Sequence, residues 1–105
     1  MSATQYLVFY SLHILHEREI ARITIKDIPV THRYLGQFEA EGIDDLYRLM
    51  QGDVWSPNGE ARSLIEGAGL YHTSMSCGDV IYNPRSNSFW VVSPCGFKQL
   101  DPEYG

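Results

Sequence analysis

The sequence predicts an α+β fold: a small antiparallel sheet of about five strands, with two short helices inserted before a C-terminal hairpin. Three observations carry this expectation. The N-terminal part is dominated by apolar runs with strand-like alternation. Two stretches with helical spacing follow, and a polar turn then leads into two short apolar segments joined by Asn83-Pro84. At 105 residues the chain suits a single domain, 1–105. Its 44% hydrophobic and 20% charged content is that of a folded protein rather than a disordered one.

Tyr6 to Leu15 is rich in Leu, Val, Phe, Tyr and Ile and reads as a strand with both faces partly covered. His16-Glu17-Arg18-Glu19 reads as a polar turn. Ile20 to Ile25 alternates Ala21, Ile23 and Ile25 against Arg22 and Thr24, as a half-buried strand does, so an opening hairpin is expected until Asp27 and Pro29 interrupt it. His32 to Ala40 gives a third strand with Tyr34, Phe38 and Ala40 in phase, and Gly36 marks a bulge. Ile43, Leu46, Tyr47 and Met50 then fall on one face of a helix, with Asp44 and Asp45 in its first turn and Gly52 as terminator. Asp53 to Asn58 reads as a loop carrying Trp55. Ser56-Pro57 reads as the cap and first position of a second helix through Ala61, Leu64, Ile65 and Ala68, stopped by Gly67 or Gly69. Asp101 to Gly105 reads as a loose tail.

The most sharply specified stretch is His72-Thr73-Ser74-Met75-Ser76-Cys77-Gly78-Asp79-Val80-Ile81. Gly78 suits a positive φ, and the hydroxyls of Thr73, Ser74 and Ser76, with the Asp79 carboxylate, suit a turn bonded to nearby backbone. Val80 and Ile81 then favour a strand, which Asn83-Pro84 ends. Phe89 to Val92 suits its partner beside Val80 and Ile81. Pro94-Cys95-Gly96 breaks that strand, and Phe97 and Leu100 fold back as anchors. Ser76, Gly78, Asp79 and Gly96 are therefore expected to be structural.

This motif, continued by Trp90-Val91-Val92 and Gly96-Phe97-x-x-Leu100, resembles a family of short proteins from phages, prophages and plasmid-like elements that is similar to YodL-like domains. The likeness extends upstream through Gly36-Gln37-Phe38-Glu39-Ala40-Glu41 and Asp44-Asp45-Leu46-Tyr47-Arg48, about the C-terminal two thirds of the chain. It implies a mobile-element protein and brings no activity, cofactor or catalytic residue. In that family a valine is more usual at the place of Cys77 and an apolar residue at that of Cys95, which implies that neither thiol is a required catalytic group.

Composition narrows the function classes. Thirteen acids against eight bases leave a formal charge of −5, which disfavours general phosphate-backbone binding. The two cysteines form no CxxC pair and no disulfide framework. No signal peptide and no spanning apolar run are evident, so the expected place is the host cytoplasm, without a membrane. His72 and Cys77 raise the idea of a base and a thiol nucleophile, but spacing supplies neither hydrogen-bond reach nor oxyanion donors. His13-x-x-His16 lies on a stretch read as strand, where residues three apart face opposite ways, and His72, Cys77 and Cys95 fix no ligand geometry, so no metal and no cofactor are expected. Glu39, Glu41, Asp44 and Asp45 read as solvating and helix-start charges.

The aromatic content is more informative. Seven Tyr and two Trp exceed what one small core easily buries with every polar tip satisfied, and Tyr and Trp make good interface anchors. Trp55, Tyr71, His72, Ser74 and Tyr82 are the candidate binding residues. The expected function is a non-enzymatic accessory protein that binds and modulates a host or defence complex, with an anti-CRISPR or other anti-defence inhibitor as a concrete version. A homodimer is left open. The alternative is a nucleic-acid-binding regulator using Arg22, Lys26, Arg33 and Arg85, and a small hydrolase using Cys77 ranks below it.

Overall fold

The computed structural model describes residues 3–13 and 15–100, so the expected tail, Asp101 to Gly105, lies outside the described residues. Five antiparallel strands form one sheet: β1 (Thr4–Ser11), β2 (His32–Ala40), β3 (Val80–Asn83), β4 (Ser88–Ser93) and β5 (Gly96–Leu100), in the order β2-β1-β3-β4-β5. The α+β fold expected from the sequence is the fold observed.

Alternation along β1 sends Tyr6, Val8 and Tyr10 to one face and Leu7 and Phe9 to the other. The first set joins the larger core, with Leu46, Met50, Ile65, Met75, Ile81 and Val92, under the helices α3 (Ile43–Leu49), α4 (Gly52–Trp55) and α5 (Arg62–Gly67). The opposite face is also covered. Ile20 and Ile28 pack there on Val80, Val91 and Leu100, with Phe9 and Leu15 at the margin. The sheet is thus covered on both faces around its central strands, while Gln5, Gln37 and Glu39 on the second face stay exposed; this cover accounts for the nearly continuous apolar character of β1 from Tyr6 to Tyr10.

The second covering layer corrects the expected opening hairpin. Residues 17–31 form helix α1 (Glu17–Ile20), a 3₁₀ turn (Ile25–Asp27) and helix α2 (Ile28–Thr31), and the strand expected at Ile20 to Ile25 is absent. The stretch His16 to Glu19 is the start of α1 rather than a turn: the Glu19 carboxylate accepts the His16 N–H at 2.9 Å. Pro29 sits in the first turn of α2, where its missing N–H costs nothing. The first strand ends at Ser11, short of Leu15. Residue β2 bounds match the expectation, and its register shift falls between Tyr34 and Gly36, with Leu35 extra and buried.

In the helical layer, α3 carries its apolar face as expected, with Asp45 accepting the Glu41 N–H at 3.0 Å and pairing with Arg48. Gly52 does not terminate it; Gly52 opens α4, so Trp55 is helical rather than in a loop. Ser56-Pro57 does not begin α5 either. Ser56 closes α4, and its hydroxyl accepts the Ala61 N–H at 2.8 Å across the turn that precedes α5. The stop is Gly69, at φ +74°, where Leu70 N–H bonds Ile65 C=O at 2.9 Å and Gly69 N–H bonds Glu66 C=O at 3.0 Å. Beyond β4, Phe97 and Leu100 lie on a fifth strand, so the C-terminal hairpin is a three-stranded meander. No helix among the described residues is long and apolar enough to cross a membrane.

Candidate functional site

Residues 70–79 connect α5 to β3 with no regular structure, yet side chains or backbone groups of Leu70, His72, Thr73, Ser74, Met75, Ser76, Gly78 and Asp79 are hydrogen-bonded within the fold. Leu70 is buried beneath the end of α5, and Tyr71, next to it, is 76% exposed. His72 turns inward and stacks on Tyr10, ring centroids 4.6 Å apart and planes 11° from parallel. The Thr73 carbonyl accepts two hydrogen bonds, from the Tyr10 hydroxyl at 2.7 Å and the Trp55 indole N–H at 3.0 Å. Burial pushes the Tyr10 phenol pKa upward, and the nearby Asp79 charge pushes the same way.

Two residues of the loop serve helix ends. The Ser74 hydroxyl accepts the N–H of Gly52 at 2.6 Å, the first residue of α4, and Met75 N–H donates to the Met50 carbonyl at the end of α3 at 3.1 Å. The Met75 side chain is fully buried, and Gln51 donates to its carbonyl at 3.3 Å. These contacts tie the loop to the helical layer.

The turn Ser76 to Asp79 ties it to the sheet. Asp79 N–H bonds Ser76 C=O at 3.0 Å, with Gly78 at φ +99°; a Cβ at Gly78 would meet the Leu15 side chain at 3.1 Å. The Asp79 carboxylate is fully buried and accepts the Ser11 N–H and the Ser76 N–H at 2.8 Å each, and the His72 Nε2–H at 2.9 Å. Gly78 N–H donates to Val92 C=O at 2.8 Å, and Val92 N–H to Asp79 C=O at 2.9 Å. From β2, buried His32 donates Nε2–H to the Gly78 carbonyl at 2.7 Å. Burial lowers the His32 pKa, against the opposing pull of that carbonyl and of Asp79.

Two hollows flank the loop. One, of about 520 Å³, is bounded by Gly52, Arg62, Ile65, Tyr71 and Thr73; the other, of about 390 Å³, by Leu15, Tyr71, His72, Ser76 and Cys77. Tyr71 borders both.

The structure brings Trp55, Tyr71, His72 and Ser74 together with Ser76, Gly78 and Asp79, and sets Tyr82 and Gly96 apart. Trp55 is half-buried with its ring edge on Phe38, and the hydroxyl of Ser74 is taken by Gly52. Tyr82 lies on β3 with its ring on Phe89 and its hydroxyl on Asn87, and Gly96 opens β5 after the Pro94-Cys95 turn. Cys77 is exposed at the turn, and no hydrogen bond joins its thiol to His72. Arg22, Lys26, Arg33 and Arg85 fall on four separate segments: after α1, in the 3₁₀ turn, on edge strand β2 and between β3 and β4. Among the described residues no group of three or more His, Cys, Asp or Glu side chains is placed to hold a metal ion. The partners missing from the sequence reading are Tyr10, Ser11 and His32. A tyrosine inside an apolar strand does signal that its hydroxyl needs a partner, but not which one.

No protein-family model, curated protein or solved structure gives a significant match to this chain. The resemblance to phage and plasmid proteins therefore rests on the motif residues alone.

Proposed function

We propose that this protein is a non-enzymatic accessory factor of a phage or other mobile element, which works in the host cytoplasm by binding and modulating a host or defence protein complex. The observation that carries the reading is Tyr71: a largely exposed aromatic ring on the rim shared by two hollows, carried by a loop that Thr73, Ser74, Met75 and Asp79 tie to the fold. Such a ring offers a partner a large contact area with few rotamers to freeze. The loop beneath it is fixed before binding, so little further ordering opposes association. His72 is engaged by Asp79 and Ser74 by Gly52, which supports reading these polar residues as parts of the fold.

The test compares immobilised parent and Tyr71→Ala in quantitative capture from bacterial lysates. A stoichiometric protein retained by the parent and lost with Tyr71→Ala, at equal thermal stability, supports the reading. Equal retention by both, or no partner across plausible hosts, removes it.

A further inference from the structure

We infer that Asn58 is a site of self-modification: the Gly59 backbone nitrogen attacks its side-chain amide, ammonia leaves, and Glu60 sets the rate. The chemistry stands on the turn 56–60 alone. Only its biological meaning rests on the proposed binding role of Tyr71, since Ser56 and Gly59 border the same hollow as that ring.

Three asparagines occur in the chain, and the residue after each decides its reactivity. Asn83 precedes Pro84, whose nitrogen carries no hydrogen to lose and cannot close an imide ring. Asn87 precedes Ser88, which is buried and paired with Asn83 across the β3–β4 ladder, and the Tyr82 hydroxyl holds the Asn87 side-chain oxygen. Asn58 precedes Gly59. Both are exposed, and nothing lies within 4 Å of the place that a Cβ on Gly59 would take. The Gly59 nitrogen is therefore open to approach by the Asn58 side chain.

The step balances without any redox partner. Gly59 N bonds to Asn58 Cγ, the bond from Cγ to the side-chain nitrogen breaks, and the Gly59 hydrogen passes through water to the leaving ammonia. The product is a cyclic imide, which one water then opens. Opening at the main-chain carbonyl leaves an isoaspartyl linkage, and opening at the side-chain carbonyl leaves an aspartyl residue. One water is consumed and one ammonia released.

The folded turn holds this reaction back at two points. The Asn58 side-chain nitrogen, which is the leaving group, donates to Glu60 Oε2 at 3.2 Å, and the Asn58 backbone N–H donates to Glu60 Oε1 at 3.0 Å. The attacking nitrogen is engaged as well, since Gly59 N–H donates to the Ser56 carbonyl at 3.2 Å. Attack requires the Asn58 side chain to leave Glu60 and Gly59 N–H to leave Ser56. The Glu60 carboxylate also opposes the loss of a proton from Gly59 N. These are single hydrogen bonds in an exposed turn, so they slow the reaction without preventing it. The product adds a negative charge beside Glu60 in a chain already at −5, and the isoaspartyl linkage lengthens the turn by one backbone atom. Both changes fall on the wall of the hollow beside Tyr71.

Peptide mapping by mass spectrometry, after weeks of incubation of the intact chain at neutral pH, tests this. The mass gain of amide-to-acid exchange should appear at position 58, with isoaspartyl as well as aspartyl product, before it appears at 83 or 87. Glu60→Ala should raise the rate about two- to tenfold, as the net worth of the lost hydrogen bonds allows. Unfolding the parent in urea should raise it too, and this arm needs no variant. No conversion at position 58 in the folded parent, aspartyl product alone, or earlier conversion at Asn87 overturns the site. Equal rates in the parent and in Glu60→Ala, or in the folded and the urea-unfolded parent, overturn the restraint by the turn. Capture through Tyr71 is measured on fresh protein, so its failure leaves conversion at position 58 standing, and absence of conversion leaves the capture standing.

Discussion

The carboxylate of Asp79 accepts the backbone N–H of Ser11 at 2.8 Å, so a side chain from the loop completes the hydrogen bonding of the first strand. The β1–β3 ladder runs through Leu7, Val8 and Phe9 and pairs Phe9 with Val80, the first residue of β3. Two residues further on, Ser11 has its N–H on Asp79, where the loop has turned away. The same carboxylate accepts Ser76 and His72, so it gathers two points of the loop and the end of β1 at one buried site.

Asp79→Ala removes the acceptor for the Ser11 and Ser76 amides at once. Leaving buried donors unsatisfied costs ~1–3 kcal/mol each, so a loss of about 3 kcal/mol or more is expected. Urea denaturation reads it as a lower midpoint with little change in slope. An Asp79→Ala midpoint equal to the parent's contradicts the structural role of this group.

Gly78→Ala combines a positive φ with a Cβ that would lie 3.1 Å from the Leu15 side chain. A cost of about 1–3 kcal/mol is expected. The steric part should be relieved in the Gly78→Ala, Leu15→Ala double variant, giving a coupling in a thermal-melt cycle. Strict additivity would mean that backbone strain alone is at work.

Ser74→Ala deprives Gly52 N–H of its acceptor at the start of α4, a loss of about 1 kcal/mol by comparison with helix caps. Gly52→Ala would place a Cβ 3.0 Å from the Ser74 hydroxyl. The two substitutions share one contact, so their effects on the melting temperature should not add.

Alkaline stability depends on Tyr10. Its folded pKa is raised above the ordinary 10.0, so the neutral phenol stabilises the fold fully below pH 10.0. Above that value the unfolded chain releases the proton first, and stability falls as pH rises. Tyr10→Phe loses the bond to the Thr73 carbonyl, at ~1 kcal/mol, and should flatten this alkaline limb. Denaturant midpoints between about pH 8 and about pH 11 measure both effects.

Tyr71→Ala should leave stability within about 0.5 kcal/mol of the parent, since the ring is largely exposed. That makes it the clean variant for the capture experiment. A larger loss in its melting curve would show that the ring packs on the fold.

Much of this was legible in the sequence, and the failures have physical causes. The bounds of β2, the helix face of α3 and the turn chemistry of Ser76, Gly78 and Asp79 all follow from local patterns. Ile20 to Ile25 misled because period-two alternation over so few residues also fits short helical turns, and Ile20 in fact covers the second face of the sheet. Ser56-Pro57 carries a cap signal, but the hydroxyl is taken across the turn by Ala61 N–H. The strand after Gly96 is too short and too polar to stand out before its ladder with β4 is known. At the site, the local half of each interaction was visible and the distant half was not: Ser11, Tyr10 and His32 lie 68, 63 and 46 positions from their loop partners.

Those separations bear on the order of events during synthesis. When the ribosome has delivered α5, β1 still lacks the neighbour on its inner side, Ser11 N–H has no carboxylate, and the end of α3 and the start of α4 await Met75 and Ser74. Both cores also need β3 and β4, which supply Ile81 and Val92 to one and Val80 and Val91 to the other. The nascent chain therefore cannot settle piecemeal from its N-terminus. It closes once, late, when the segment from His72 to Val92 has left the exit tunnel.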